Sequence, residues 1–211
     1  MKALIFDLDG TLLNTLGDLH CSTNFALKKF GYPERTIEEV NSFVGNGMGL
    51  LIRRALPSYA DEETVQLVLK EMKAHYAEHF HDLTVPYDGI IELLKECKNR
   101  DIPMGIVSNK ADPFVKKLAH VFFDGLIEIA IGETDMIPRK PAPDMVYHAM
   151  KRLNVQEAYY VGDSEVDVIT AKNANLDCLS VTWGFRNAQQ LADAGAKHLI
   201  YKPSEILKII E

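Results

Sequence analysis

The sequence has little cysteine, a single tryptophan and no long apolar run, and its basic residues are outnumbered by its acidic ones. Cys21, Cys97 and Cys178 lie far apart with no CxxC pair. That excludes a disulfide framework and a cysteine-based zinc site, and suits the reducing cytoplasm. Nowhere do about eighteen apolar residues follow one another, the length a membrane-spanning helix needs, so no membrane partner is expected. The first apolar run, from Ala3 to Phe6, is interrupted by Asp7 and is too short for a signal peptide, so none is expected. Lys and Arg total 23 against 30 Asp and Glu, a formal net charge of −7. A surface of that sign repels a phosphate backbone and argues against a nucleic-acid partner. It repels anionic small molecules as well. Any phosphate site must therefore be made locally positive by a metal, a lysine or backbone N–H groups.

What is present is an ordinary globular composition, 47% hydrophobic and 25% charged over 211 residues, enough for a substantial core. Short apolar runs at Ala3–Leu8, Met104–Val107, Ile127–Ile131, Tyr159–Val161, Cys178–Val181 and His198–Tyr201 lack strict alternation. They read as strands buried on both faces. Helical spacing appears between them, at Gly89–Arg100, Pro113–His120, Pro143–Leu153 and Val166–Ala174. Strands alternating with helices predict an α/β fold, a doubly wound parallel sheet. From about Thr15 to His81 the alternation stops. Gly17–Phe30, Ile37–Val44, Met48–Leu56 and Asp61–Phe80 read as helices with no strand among them. Asp82–Pro86 then returns to the sheet pattern, so an all-helical segment is inserted after the first strand.

In open parallel sheets, ligands bind beyond the carboxyl ends of the strands. Asp7 and Asp9 follow the first predicted strand, Ser108 and Asn109 follow Met104–Val107, and Asp163 and Ser164 follow Tyr159–Val161. Lys140 lies on the proline-rich loop Pro138–Pro143. Each group alone has a plainer reading. DxD can be a turn with capping carboxylates, Ser108-Asn109 a cap, Lys140 a solvated lysine, and Asp163 with Asp167 a favourable helix start. Jointly they describe phosphoryl transfer. Packed carboxylates repel one another until a divalent cation relieves them, and oxygen-only ligands favour Mg2+. Asp7 can act as a nucleophile, and Asp9 can protonate a leaving oxygen and then activate water. A serine, an asparagine and a lysine can hold the phosphoryl oxygens.

Four motifs, FDLDGTLLNT, IVSNK, RKPAPD and VGDSEVD, carry a resemblance over essentially the whole chain. The sequence resembles the haloacid dehalogenase superfamily, in its phosphoglycolate phosphatase-like branch. The resemblance implies a Rossmann-like core of residues 1–14 and 83–211 with an inserted all-helical cap of residues 15–82. It implies Asp7 as nucleophile and metal ligand, and Asp9 as general acid/base with its carbonyl on the metal. Thr11 would hold the phosphate loop. Ser108 and Asn109 would bind the phosphoryl group, and Lys140 would neutralise charge on it and on Asp7. Asp163 would ligate Mg2+, with Asp167 a ligand or its support. Dehalogenases of the superfamily lack the second aspartate, so Asp9 favours a small-molecule phosphate ester as substrate. Inorganic pyrophosphatase, hexose-phosphate mutase and non-catalytic binding protein are the alternatives.

Two further features bear on the substrate. The segment Val44–Gly49 is a glycine-rich turn before a helix carrying Arg53 and Arg54, where Gly47 can present a backbone N–H to an anion. Arg53 is the candidate partner for a substrate carboxylate; equally, the glycines only make the turn and the arginines are solvated. His75, His79 and His81 lack the acidic partner of a zinc motif. Trp183–Arg186 follows the fifth predicted strand near the site and reads as a loop packed against the core, with substrate contact the alternative. The sequence carries no feature that sets an oligomeric state.

Overall fold

The computed structural model describes residues 2–210. The chain opens with β1 (Ala3–Phe6) and β2 (Leu13–Asn14). Helices α1 (Leu16–Lys29), α2 (Ile37–Phe43), α3 (Gly47–Ala55) and α4 (Glu62–His79) follow, then β3 (Val85–Pro86). From there helices and strands alternate: α5 (Ile90–Asn99), β4 (Met104–Ala111), α6 (Asp112–Phe123), β5 (Ile129–Glu133) and α7 (Asp144–Leu153). The chain continues through β6 (Ala158–Gly162), α8 (Glu165–Asn173), β7 (Asp177–Val181), α9 (Ala188–Asp193), β8 (His198–Ile200) and α10 (Pro203–Ile209).

The packing divides the chain into two compact units, Met1–Leu13 with Pro86–Glu211, and Asn14–Val85. The first holds a six-stranded sheet of order β5-β4-β1-β6-β7-β8, parallel throughout. Ala3 and Ile5 face a cluster with Met145, Val146 and Ala149 of α7 and Val168 and Ala171 of α8. Leu4 and Phe6 point the other way and are just as inaccessible. Both faces are therefore covered, which is why the strands read as unbroken apolar runs. The strand order reverses between β1 and β6, and the crevice beyond their carboxyl ends is the place such sheets offer a ligand.

The second unit is helical. Leu27, Ile52, Val68, Met72 and Tyr76 are fully inaccessible and form its core. Thr36 and Glu39 close a capping box at the start of α2, and Asp61 caps α4. The Asp18 carboxylate accepts from the Leu83 N–H at 2.9 Å and from the Thr84 N–H and hydroxyl at 2.9 and 2.6 Å. That ties the end of the unit to its beginning. No helix among the described residues is long and apolar enough to cross a membrane.

Three differences from the sequence reading bear on the site and its surroundings. β1 stops at Phe6, because Asp7–Gly10 turns: the N–H groups of Thr11, Leu12 and Leu13 all converge on the Leu8 carbonyl. β4 runs four residues past Val107 to Ala111, although its register against β5 shifts there. The segment around Val85 does not rejoin the main sheet. Val85–Pro86 pairs with β2 in a separate two-stranded ribbon, a position where the missing Pro86 N–H costs no central ladder bond.

Candidate active site

β1 and β6 end side by side. The Asp7 N–H still donates to the Val161 carbonyl at 2.8 Å, so its carboxylate leaves the sheet at the crevice. Asp163 follows Gly162 at the end of β6, and Asp167 lies in the first turn of α8. Gly162 has to lack a side chain here, since a Cβ would sit 2.4 Å from the Asp167 Cγ. Asp7, Asp163 and Asp167 are all buried, and one oxygen from each lies within 4.8 Å of the others.

Asp163 and Asp167 are held through both carboxylate oxygens, and Asp7 through one. Asp163 Oδ1 accepts from the Thr11 hydroxyl at 3.0 Å and Oδ2 from the Phe185 N–H at 2.7 Å. Asp167 Oδ2 accepts from the Ser164 hydroxyl at 2.6 Å and N–H at 3.0 Å. Asp167 Oδ1 accepts from Lys140 Nζ at 2.8 Å. The same ammonium donates to the Tyr160 hydroxyl at 3.0 Å and lies 2.9 Å from Asp7 Oδ1. That last contact is an ion pair and not an aligned hydrogen bond, so Asp7 Oδ1 is buried with no hydrogen bond. The Tyr160 hydroxyl lies 3.2 Å from Asp167 Oδ1 and 3.3 Å from the Val107 carbonyl. Its one hydrogen can serve either.

Burial pushes the Asp7 carboxyl up to about 7; Lys140 works against that shift, and Asp167 adds to it. Burial, with the charges of Asp167 and Asp7, also holds Asp163 well above the usual carboxylate range, against the Phe185 N–H and Thr11 hydroxyl. Burial opposes the charge of Lys140, but Asp167 and Asp7 outweigh it and raise its pKa well above the ordinary value. The cluster thus holds three buried carboxylates and one buried ammonium, which contacts Asp7 and Asp167. If all ionise, two negative charges remain uncompensated, the amount a divalent cation carries. The donor set is oxygen only, one of those oxygens lacks a hydrogen bond, and the cluster fits Mg2+.

Asp9 does not join this cluster. Its carboxylate takes both oxygens to Lys110 Nζ, at 3.0 and 3.1 Å. Lys110 is a site residue that the sequence reading left unassigned, as it did Tyr160. A lysine after a strand reads as solvated, and a tyrosine inside one reads as core. Ser108 and Asn109, expected in a loop, stand on the shifted end of β4. Asn109 Nδ2 donates to the Lys140 carbonyl at 3.0 Å, and its Oδ1 is buried without a hydrogen bond. Thr11, expected at the phosphate loop, bonds to Asp163. The Trp183–Arg186 loop is packed as expected and also touches the site: the Trp183 ring N–H donates to the Thr11 carbonyl at 3.0 Å.

Gly47 and Arg53 belong to the helical unit. Gly47 opens α3 with φ +81°, a backbone conformation that favours glycine. Arg53 is ion-paired with Glu62 and donates to the Ala60 carbonyl at 3.2 Å. His75 bonds to the Ser22 hydroxyl at 3.0 Å, and His79 pairs with Asp82. Among the described residues neither belongs to a cluster able to hold a metal.

Residues 4–181 match the family model described as haloacid dehalogenase-like hydrolase. A phosphoglycolate phosphatase of Rhodobacter capsulatus is 34% identical over 188 residues, covering 87% of this chain and 85% of that protein. One of Colwellia psychrerythraea is 32% identical over 215 aligned positions, covering 98% and 95%. A crystal structure from Lactobacillus delbrueckii subsp. bulgaricus, provisionally described as a phosphoglycolate phosphatase, superposes with a TM-score of 0.96 at 33% identity, covering 99% of this chain and 98% of that one.

Proposed function

The chain belongs to the haloacid dehalogenase-like hydrolase family, and on that premise we propose that it is a Mg2+-dependent phosphatase of a small acidic phosphate monoester such as 2-phosphoglycolate. The observation that carries this reading is the buried cluster of Asp7, Asp163 and Asp167 around Lys140, with Asp9 paired apart from it. Asp7, Asp163 and Asp167, with the Asp9 carbonyl, would hold Mg2+. When bound, the ion would relieve carboxylate repulsion and draw charge from the phosphoryl oxygens.

The chain's own groups divide the reaction in two. A carboxylate oxygen of Asp7 attacks phosphorus, and the bond from phosphorus to the ester oxygen breaks. Asp9 gives that leaving oxygen its proton. Water then attacks the aspartyl-phosphate, Asp9 takes its proton, and inorganic phosphate leaves with the Asp7 carboxylate restored. Lys140, the Ser108 hydroxyl and Asn109 meet the phosphoryl oxygens. Asp167 and Tyr160 hold Lys140, and Thr11 and Phe185 hold Asp163. Gly47 and Arg53 remain the candidates for the substrate's acidic end. The Arg53–Glu62 pair is solvent-exposed and weak, so its guanidinium is exchangeable. The unpaired thiols suit a reducing cytoplasm as the place of action.

A phosphate-release assay on 2-phosphoglycolate, pyrophosphate and hexose phosphates tests the reading. Mg2+-dependent release from the first is expected, lost on exhaustive chelation. Asp7→Asn should lower turnover by more than about 10³-fold while keeping the fold. Phosphate release that survives Asp7→Asn excludes the covalent mechanism. Turnover that needs a bisphosphate and releases no phosphate makes the protein a mutase.

A further inference from the structure

The site has a second buried lysine besides Lys140. Lys110 Nζ meets both oxygens of Asp9, and its side chain is 2% exposed against 20% for Asp9. The pair is therefore sealed at its lysine end and open at its carboxylate end. Burying an ammonium on a long, flexible stem costs desolvation and side-chain entropy, and such a pair is better evidence of a specified position than of stability.

The backbone that carries Lys110 is pinned on both sides. The β4–β5 register shifts between Val107 and Ala111, so the strand bulges under Ser108, Asn109 and Lys110. A bulge of this kind re-aims side chains beside a site. The Lys110 N–H donates to Ser108 Oγ at 3.3 Å. Just beyond, Asp112 Oδ1 accepts from the Gly132 N–H at 3.0 Å. β5 approaches so closely there that a Cβ on Gly132 would lie 2.4 Å from the Asp112 Cα and 2.6 Å from the Lys110 carbonyl oxygen. One locked bulge thus presents Ser108, Asn109 and Lys110 together, and the last of these fixes Asp9.

We propose that Lys110 is the positioning residue for Asp9: its ammonium holds the carboxylate at one place, where it reaches the leaving oxygen of the ester. The inference rests on the acid/base role proposed above for Asp9. Proton transfer demands a donor within hydrogen-bond reach of the accepting oxygen; Asp9, open at its carboxylate end, takes that proton from water on one oxygen while the other keeps Lys110, and an unanchored carboxyl spends little time in place. The ion pair also explains why Asp9 stays out of the Asp7–Asp163–Asp167 cluster.

The test compares two esters whose leaving groups need a proton to different degrees. The alkoxide of 2-phosphoglycolate needs one, and the phenolate of p-nitrophenyl phosphate leaves without it. For Lys110→Met, kcat/KM on 2-phosphoglycolate should fall about 10²-fold and on p-nitrophenyl phosphate less than about 5-fold. Lys110→Arg, which can still face both carboxylate oxygens, should recover 2-phosphoglycolate turnover to within about 10-fold of wild type. Should the methionine variant unfold, Lys110→Gln carries the same comparison. Equal losses on both esters, whether in KM or kcat, would make Lys110 a phosphoryl ligand or a structural residue and overturn the proposal. Unchanged turnover of both would overturn it as well. A wild type inactive on both esters removes the phosphatase reading itself and this inference with it.

Discussion

Asp7 stands where an ionised carboxylate is costly, out of water and beside two others. Its carboxyl is pushed up from the ordinary 3.8 to about 7, first by burial. The sign of the consequence follows from linkage. A raised folded-state pKa means the folded chain binds a proton more tightly than the unfolded one does. The associated stability is complete below about pH 4 and is lost as pH rises through about 7. Asp163, raised in the same direction, adds to the loss. The proposed Mg2+ would bind the deprotonated cluster and oppose it. The melting temperature gained on saturation with Mg2+ should therefore be larger at about pH 8 than at about pH 5. Calorimetry at both pH values, with and without the ion, checks this, and an equal gain at the two would deny the cluster its metal. Asp7, Asp163 and Lys140 were legible in the sequence because carboxylates and a lysine at strand ends have few other uses together. Lys110 and Tyr160 were not legible, because their partners lie 101 positions away at Asp9 and 20 positions away at Lys140. Only the folded sheet brings them together.

Among the elements, the strands of the sheet were legible because burial on both faces leaves unbroken apolar runs. Their ends were not. Ser108-Asn109-Lys110 is polar and reads as a loop, yet β4 continues through it to Ala111. The loop after β7 is the other case, since nothing in Trp183–Arg186 advertises that its backbone anchors a carboxylate. Phe185 donates its N–H to Asp163, and Gly184 makes this possible by having no side chain. A Cβ there would lie 2.2 Å from the Gly10 carbonyl oxygen and 2.4 Å from the Asp163 Cβ. Neither neighbour is the flexible end of a side chain, so the loop would have to move. Gly184→Ala is expected to weaken Mg2+ binding about 10- to 100-fold, the usual cost of losing support behind a ligand. Its metal-free stability should fall by about 1–3 kcal/mol. A Mg2+ titration followed by melting temperature measures both, and wild-type affinity in the variant would show that the loop does not orient Asp163.

At the scale of the whole molecule, the chain passes from one unit to the other near Leu13 and returns near Pro86. The residues proposed to hold the metal all lie in the sheet-containing unit, as do Lys140 and Lys110. The whole chain's net charge of −7 favours the approach of a divalent cation and disfavours that of an anionic ester. Recognition of the ester therefore depends on local donors. Binding energy from the ion opposes only those openings that break its site. The helical unit has its own core around Met72 and Tyr76 and its own closure through Asp18 and Thr84, so its local openings are expected to leave the proposed metal site intact. Hydrogen exchange with and without Mg2+ should therefore separate the two. With free Mg2+ at about 100 times its Kd, amides of β1, β6 and the Asp163–Asp167 segment that exchange by unfolding of their unit should slow about 100-fold. Amides of α1–α4 should change little. Equal slowing in both units would mean that the helices open only when the sheet does, and that the chain unfolds as a single cooperative body.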